Sequence, residues 1–224
     1  MTRSRPRTPR GLDRSEILDA AFELMSREGE SGFSVRKLGA KIGCDPMTVL
    51  HHFRSKDELL RQIADRALTS VSLPPPSADW RSDLRKVASA YRDLAHRHPR
   101  LFHLHFRFHA TGPIDHSSSE VVYRAMLQSG MSKSKAAGLG LAFYAFILGF
   151  ALAETEGLLL PLNDAEEEEL KSLDCAAFPA TRSLIPAFKT LDPDVAFNAA
   201  INAFIDGVAA QLPGKSTPKR TRKA

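Results

Sequence analysis

An all-α fold is what this sequence predicts: a small N-terminal domain of three packed helices with a connecting helix, then a larger helical domain. Three observations carry that expectation. Helix start and stop signals recur along the chain, no stretch alternates apolar and polar residues long enough to argue a strand, and one proline-rich run, Leu73-Pro74-Pro75-Pro76-Ser77, separates two groups of helices. Length and composition agree, since 224 residues, 43% hydrophobic and 25% charged, can bury a core in ordinary globular proportions.

The first helix opens at Asp13 with Glu16 three residues on, the spacing of a capping box. It carries Ile17, Leu18, Ala21, Phe22, Leu24 and Met25 on one face until Gly29 stops it. A second helix runs from Ser34 to Gly43. The third has Asp45 as its cap and Pro46 in its first position, where a missing N–H costs nothing, and closes at Arg54. Ser55 caps a fourth, with Asp57 and Glu58 in the first turn where carboxylates offset the helix dipole. Beyond the proline run, Asp79 caps a helix carrying Trp80, Leu84, Val87, Tyr91 and Leu94; Pro99 starts the next, and Gly112-Pro113 interrupts. Residues 118–129 form a helix ended by Gly130, and Ser132 caps a long apolar helix to about Glu156. Residues 157–191 read as irregular, with the acidic run Glu166 to Glu169 as a solvated short helix. Asp192-Pro193 opens the last helix, through Val195, Phe197, Ala200, Phe204, Ile205 and Val208, and Pro213 terminates it.

The net charge of +5 is unevenly placed. Residues 1–11 carry Arg3, Arg5, Arg7 and Arg10, residues 214–224 carry Lys215, Lys219, Arg220, Arg222 and Lys223, and neither tail holds an acid, so the body between them is −4. Basic ends on an acidic body point to polyanion contact through appendages. Cys44 and Cys175 are too few for a disulfide scaffold and lack metal-ligand spacing, which suits a reducing cytoplasm. No secretory signal is expected, because Arg and Pro fill the positions where an apolar segment would begin. The eighteen uncharged residues 136–153, AAGLGLAFYAFILGFALA, reach the length of a bilayer span. Their Ala and Gly content and the soluble pattern around them predict a buried central helix and no membrane.

The stretch Ser34 to Phe53, SVRKLGAKIGCDPMTVLHHF, has the length pattern of a helix-turn-helix. Gly43 permits the tight turn, Leu38, Ile42 and Val49 are expected to face inward, and Cys44 sits in the turn as a small apolar plug. From Ser34 to Lys56 there are five basic residues, Arg36, Lys37, Lys41, Arg54 and Lys56, against one acid, Asp45, which is used as a cap. That concentration of positive charge within an acidic body is an electrostatic footprint for nucleic acid.

Leu12-Asp13-Arg14, the block GFSVRKLGAKIG and the run HHFRSKDELL together resemble the DNA-binding domain of the tetracycline-repressor (TetR) family over residues 12 to about 62. Trp80, Leu84 and Tyr91, then LQSGMSKSKA and FILGFALAETEG, more loosely resemble the ligand-binding core of the tetracycline-repressor subgroup. The resemblance implies a ligand-responsive transcriptional regulator, by family default a repressor, with no catalytic residues and no cofactor. It implies Arg36, Pro46, Met47, Thr48 and His51 at base edges, and Ser34, Lys37, Lys41, His52 and Lys56 at phosphates. Leu50 stands where many members have a tyrosine that contacts the backbone, so that contact is expected to be missing. Aligned on Trp80, Val87 replaces an asparagine that holds tetracycline in the family prototype, which argues against tetracycline and for another hydrophobic organic effector.

The domains expected are a basic arm over 1–11, a helix-turn-helix domain with connecting helix over 12–73, an effector-binding and dimerisation domain over 78–213 and a basic tail over 214–224. Pocket candidates are Tyr91, Phe102, His105, Phe106, Met126, Phe143, Phe146 and Ile147, apolar and aromatic side chains of the central helices with one polar member. One recognition helix makes few base contacts, so a homodimer on palindromic double-stranded DNA is expected, joined through helices 132–156 and 193–211. Six histidines, His96, His98, His103, His105, His109 and His116, fall close together and offer the rival reading of a metal-dependent enzyme. No nucleophile elbow, phosphate loop or HExxH motif accompanies them, and no metal is assigned.

Overall fold

A computed structural model describes residues 13–73, 75–108 and 113–212, without the side chains of Pro113 and Ile114. The basic arm, the basic tail, His109, Gly112 and Pro213 lie outside the described residues. Among the described residues every regular element is a helix, and two compact units form: residues 13–72 with 93–108 and 113–117, and residues 73 and 75–92 with 118–212. Residues 93–108 and 113–117, which the proline run separates from the N-terminal helices in sequence, thus cluster with them.

In the first unit α1 (Arg14–Gly32) starts on the expected capping box, the Asp13 backbone N–H donating to Glu16 Oε2 at 3.2 Å. Ile17, Ala21, Leu24 and Met25 are buried, and Leu18 and Phe22 half-buried. The right-handed helix breaks at Gly29, at φ 69°, and one further turn runs to Gly32. The Ser34 hydroxyl accepts the Lys37 N–H at 3.1 Å to open α2 (Val35–Ile42), which ends on Gly43 at φ 74°. Asp45 Oδ1 accepts the Met47 N–H at 2.7 Å to open α3 (Pro46–Phe53). Leu38, Val49 and Phe53 are fully buried. Ile42 is only half-buried, at the open end of the turn. Ser55 caps α4 (Lys56–Leu68), whose Leu59, Leu60, Ile63, Ala64, Ala67 and Leu68 are buried, and α4 packs on α1 and α3.

Of α5 (Trp80–Arg97), residues 93–97 belong to this unit, with α6 (Pro99–Phe102) and α7 (Leu104–Arg107). They pack on α1 and α4 through buried Leu101, Phe102 and Leu104, an edge-on contact of His98 with Phe22 at 5.3 Å, and a polar cluster. In that cluster His103 Nε2 lies 2.9 Å from Glu30, Arg107 bridges Glu30 at 2.9 Å and Asp57 at 2.6 Å, and the Arg100 guanidinium donates to the Arg27 carbonyl.

In the second unit the first part of α5 is entered by a turn in which the buried Asp83 carboxylate accepts the Ser77 N–H at 2.7 Å and its hydroxyl at 2.8 Å. A helix opening at residue 118 is not what forms: α8 (Pro113–Gln128) starts at Pro113 itself. Pro113, which reads as part of an interruption, is its first residue, because proline has no N–H to lose in a first turn. Ser132 caps α9 (Lys133–Thr155). Residues 157–191 are more regular than expected, holding α10 (Asp164–Ser172), α11 (Pro179–Ser183) and α12 (Ile185–Phe188), with the acidic α10 unburied throughout. Asp192 Oδ1 caps α13 (Pro193–Ala210) through the Asp194 N–H at 2.8 Å.

The buried central helix expected over 136–153 is corrected. α9 has a mean hydropathy of 2.0 over its most apolar window, yet only 33% of that window is buried within the chain. One side, with Ala136, Gly140, Phe143, Ile147, Leu148 and Ala151, packs inward, while Ala137, Leu141, Ala142 and Ala145 are exposed. Hydropathy does not distinguish a side chain buried in its own fold from one left bare on an outer face.

Two glycines shape the α2–α3 turn for different reasons. Gly43 adopts a left-handed backbone, whereas a Cβ on Gly39 would lie 2.8 Å from the Cys44 carbonyl oxygen and 3.3 Å from the Pro46 nitrogen. Both neighbours are main-chain atoms and cannot swing aside. Gly39→Ala is expected to cost the more, roughly 2–3 kcal/mol as overpacking against main-chain atoms, and Gly43→Ala about 1 kcal/mol as backbone strain. Urea unfolding of the two variants checks the order, and equal losses would reject the close-approach account.

Candidate nucleic-acid interface and effector core

α3 presents one face and buries the other. Val49 and Phe53, four residues apart, are buried, while on the outer side Met47 is 68% exposed, His51 is exposed, and Pro46 and Thr48 are half-buried. Arg36, on α2, is exposed, with no ion pair or hydrogen bond recorded for its guanidinium among the described residues. These are the five residues expected at base edges, and all belong to the α2–turn–α3 segment.

The residues expected at phosphates divide. Lys56, in the first turn of α4, is exposed. Ser34 accepts the Lys37 N–H and keeps its hydroxyl proton available to donate. Lys37 and Lys41 are engaged inside the protein: the Lys37 ammonium donates to Glu28 at 3.1 Å and the Gly32 carbonyl at 2.8 Å, and the Lys41 ammonium to Glu23 at 2.7 Å. Two of the five positive charges between residues 34 and 56 are therefore answered by carboxylates of α1. Glu28 is held below the usual carboxylate range, first by its hydrogen bond from Arg27 and then by that from Lys37, so it stays ionised at neutral pH.

Sequence reasoning assigned no role to Arg14. Its guanidinium donates to the His52 carbonyl, lies 4.3 Å over the Phe53 ring, and stands 3.9 Å from Glu58, so it satisfies a free carbonyl at the C-terminal end of α3. A signal was present in the chain, since a cation in a first helical turn opposes the dipole and implies a compensating tertiary contact. Arg54, just after α3, holds a left-handed φ of 60°, the only non-glycine to do so among the described residues. His52 is half-buried with its ring edge-on to His51 at 6.1 Å.

The eight pocket candidates fall in both compact units. In the first, Phe102 and His105 are buried with rings 5.5 Å apart, and Phe106 is 44% exposed. His105 Nε2 is buried with no hydrogen-bond partner among the described residues, and burial pushes the imidazole down to about 4. A buried, unsatisfied ring nitrogen is costly, and such groups mark places where a water or ligand completes the site. In the second unit Tyr91, Met126, Phe143 and Ile147 are buried. Phe143 and Phe146 pack on Phe204 of α13, at 5.3 Å and 5.4 Å, the latter pair stacked, so these two rings fill the α9–α13 seam. That seam ends in an ion pair: Arg92 Nε donates to Glu154 at 2.7 Å, the same guanidinium meets Asp194 at 2.7 Å, and it lies over Phe197 at 4.7 Å. A cavity of about 470 Å³ between Gly157 and Leu170 contains none of the eight candidates.

The histidines of the cluster turn to separate partners, His98 to Phe22, His103 to Glu30 and His105 to Phe102. Among the described residues no group of three or more His, Cys, Asp or Glu side chains is gathered as a metal site.

The family model described as "Tetracyclin repressor-like, C-terminal domain" matches residues 73–212, and "Bacterial regulatory proteins, tetR family" matches residues 17–70. The chain belongs to the TetR family of bacterial regulatory proteins. It is 28% identical over 203 residues to the tetracycline repressor protein class A from transposon 1721 of Escherichia coli, a match covering 88% of this chain and 91% of that one. A putative transcriptional regulator from Streptomyces coelicolor A3(2) is similar in structure, with a TM-score of 0.72, 29% identity, and 90% and 99% of the two chains covered. The Streptomyces coelicolor TetR-family protein ActR, solved in complex with (S)-DNPA, shares the fold, with a TM-score of 0.78, 24% identity, and 90% and 99% covered. The families matched are regulators that bind DNA, and no enzyme family is indicated.

For this TetR-family regulator the α1 carboxylates bear on how much positive charge reaches DNA. Glu28→Gln is expected to free the Lys37 ammonium, raise affinity for arbitrary duplex and steepen the logarithmic salt dependence by about one unit. Binding titrations across a salt series check this, and an unchanged slope would make Lys37 a staple between α1 and α2 only.

His105 carries a pH prediction. Its folded-state value is depressed, so between about 4 and the ordinary histidine value the unfolded chain binds the extra proton and stability falls as pH falls. The loss is on the order of 3 kcal/mol at most. Urea midpoints from pH 7 to pH 4 should fall less steeply in His105→Phe than in the wild type, and parallel curves would reject the assignment.

Proposed function

We propose that this TetR-family regulator represses transcription as a homodimer on palindromic operator DNA and is released by a small hydrophobic effector. The observation that carries the reading is the face of α3: a helix with a capped N-terminus, locked on one side by Val49 and Phe53, that exposes Met47 and His51 on the other beside Arg36. Such a helix enters the major groove with its N-terminal residues at base edges. Arg36 suits the paired acceptors of guanine, while Lys56, Ser34 and His52 serve the phosphates. Lys37 and Lys41 join them only by leaving Glu28 and Glu23.

The outer faces of α9 and α13 support dimerisation. Leu141 and Val195 are 62% and 65% exposed, and a Cβ on Gly138, Gly149 or Gly207 would meet nothing within 4 Å. A second copy laying the same two helices against these faces would bury them in a four-helix interface. It would also account for the hydropathy of α9 without a bilayer.

For the effector, within the first unit buried Phe102 supplies apolar surface and His105 beside it, with rings 5.5 Å apart, one neutral polar group. Val87 is fully buried, and its apolar side chain in place of the tetracycline-holding asparagine favours a different organic molecule. The naming of the curated relative as a repressor supports repression as the sense of control.

Footprinting of the upstream promoter is expected to show two protected half-sites about one helical turn, roughly 34 Å, apart. Arg36→Ala and His51→Ala should relax sequence preference, while Lys56→Ala weakens all sites alike. An unpaired footprint, or equal effects from the three changes, would overturn the roles.

A further inference from the structure

The helix that presents base-reading residues carries no lysine, arginine, aspartate or glutamate along its whole length, PMTVLHHF. Its most exposed apolar side chain is a thioether. Met47 is 68% exposed in the first turn of α3, its backbone N–H already taken by Asp45 Oδ1 at 2.7 Å, between half-buried Pro46 and Thr48. No fold contact accounts for an apolar side chain held out at that position.

The major groove offers such a side chain one complementary feature. Every other recognition atom at a base edge is polar, N7 and O6 of guanine, N7 and the amino group of adenine, the amino group of cytosine and O4 of thymine, and only the 5-methyl of thymine is apolar. Pressing Met47 against a polar edge would strip water from it and return no hydrogen bond. Laid on a methyl group, it removes apolar surface from water on both sides.

We infer that Met47 is a specificity-determining residue that reads the 5-methyl group of a pyrimidine, thymine in ordinary DNA, once in each operator half-site. This rests on the DNA-binding reading above and adds to it the chemistry of one operator position. Arg36, on α2, supplies the charged contact that α3 does not.

The test removes one methyl at a time. In the footprinted operator each thymine of a half-site is replaced by deoxyuridine, which lacks only that methyl, and affinity is measured by fluorescence anisotropy. At one position the wild type is expected to lose roughly fourfold per half-site, the worth of burying one methyl group. Met47→Ala and the similarly shaped but polar Met47→Gln should bind thymine and deoxyuridine operators alike, with thermal melting of both variants confirming the fold. Cytosine at that position should weaken wild-type binding, and 5-methylcytosine should restore part of the loss. Specific operator binding without a methyl-sensitive position, or the same sensitivity retained in Met47→Ala, overturns the inference and leaves the DNA-binding reading standing. Loss of all preference for operator over random duplex in the wild type would overturn both.

Discussion

The close approach of α2 to the start of α3 is the constraint on which the interface depends. With hydrogen alone at the Gly39 α-carbon, the Cys44 carbonyl and Pro46 nitrogen pass within contact distance, and the Cys44 N–H donates to the Gly39 carbonyl at 2.9 Å. The turn is thereby set, and Leu38, Val49 and Phe53 lock the two helices on their inner side. Arg14 holds the far end by donating to the His52 carbonyl and covering Phe53. A short helix of eight residues is marginal by itself. Fixed at both ends and along one side, it can hold Met47, Thr48 and His51 in one orientation.

Charge and shape are then divided between elements. α3 is formally uncharged, and the cations that suit phosphates sit before and after it, on α2, at Arg54 and at Lys56. The α1 carboxylates opposite Lys37 and Lys41 temper that field, since each cation drawn to DNA must first leave a partner at 3.1 Å or 2.7 Å. Exposed pairs of this kind contribute little to stability. Non-specific attraction to a duplex grows instead with the number of phosphates neutralised.

What could be read from the sequence was what neighbouring residues decide among themselves. Asp13, Ser34, Asp45, Ser55, Ser132 and Asp192 each cap a helix where the pattern placed one, because capping is completed within three residues. Contacts between distant segments were not legible. The pairing of Lys41 with Glu23, the tie of Arg14 to His52 and the closeness of Gly39 to Cys44 depend on how helices cross. The same limit explains α9: its run of apolar residues announces a helix, but which side meets α13 and which stays bare is decided by packing. Proline at 113 misled for a local reason, since the same Gly-Pro pair can end one helix or begin another.

The histidine-rich segment belongs to the same compact unit as the helix-turn-helix. Phe102 and His105 belong to the compact unit that holds α3, and the segment carrying them is tied to the end of α1 and the start of α4 by His103, Arg107 and Arg100. A molecule that hydrogen-bonds His105 therefore acts on a body that includes the recognition helix. Such binding changes DNA affinity only to the extent that the ligand prefers one arrangement of that body over another. A tenfold preference shifts the balance tenfold, however tight the binding itself. His105 itself is buried and held uncharged at neutral pH, so it offers a hydrogen bond without a counter-charge.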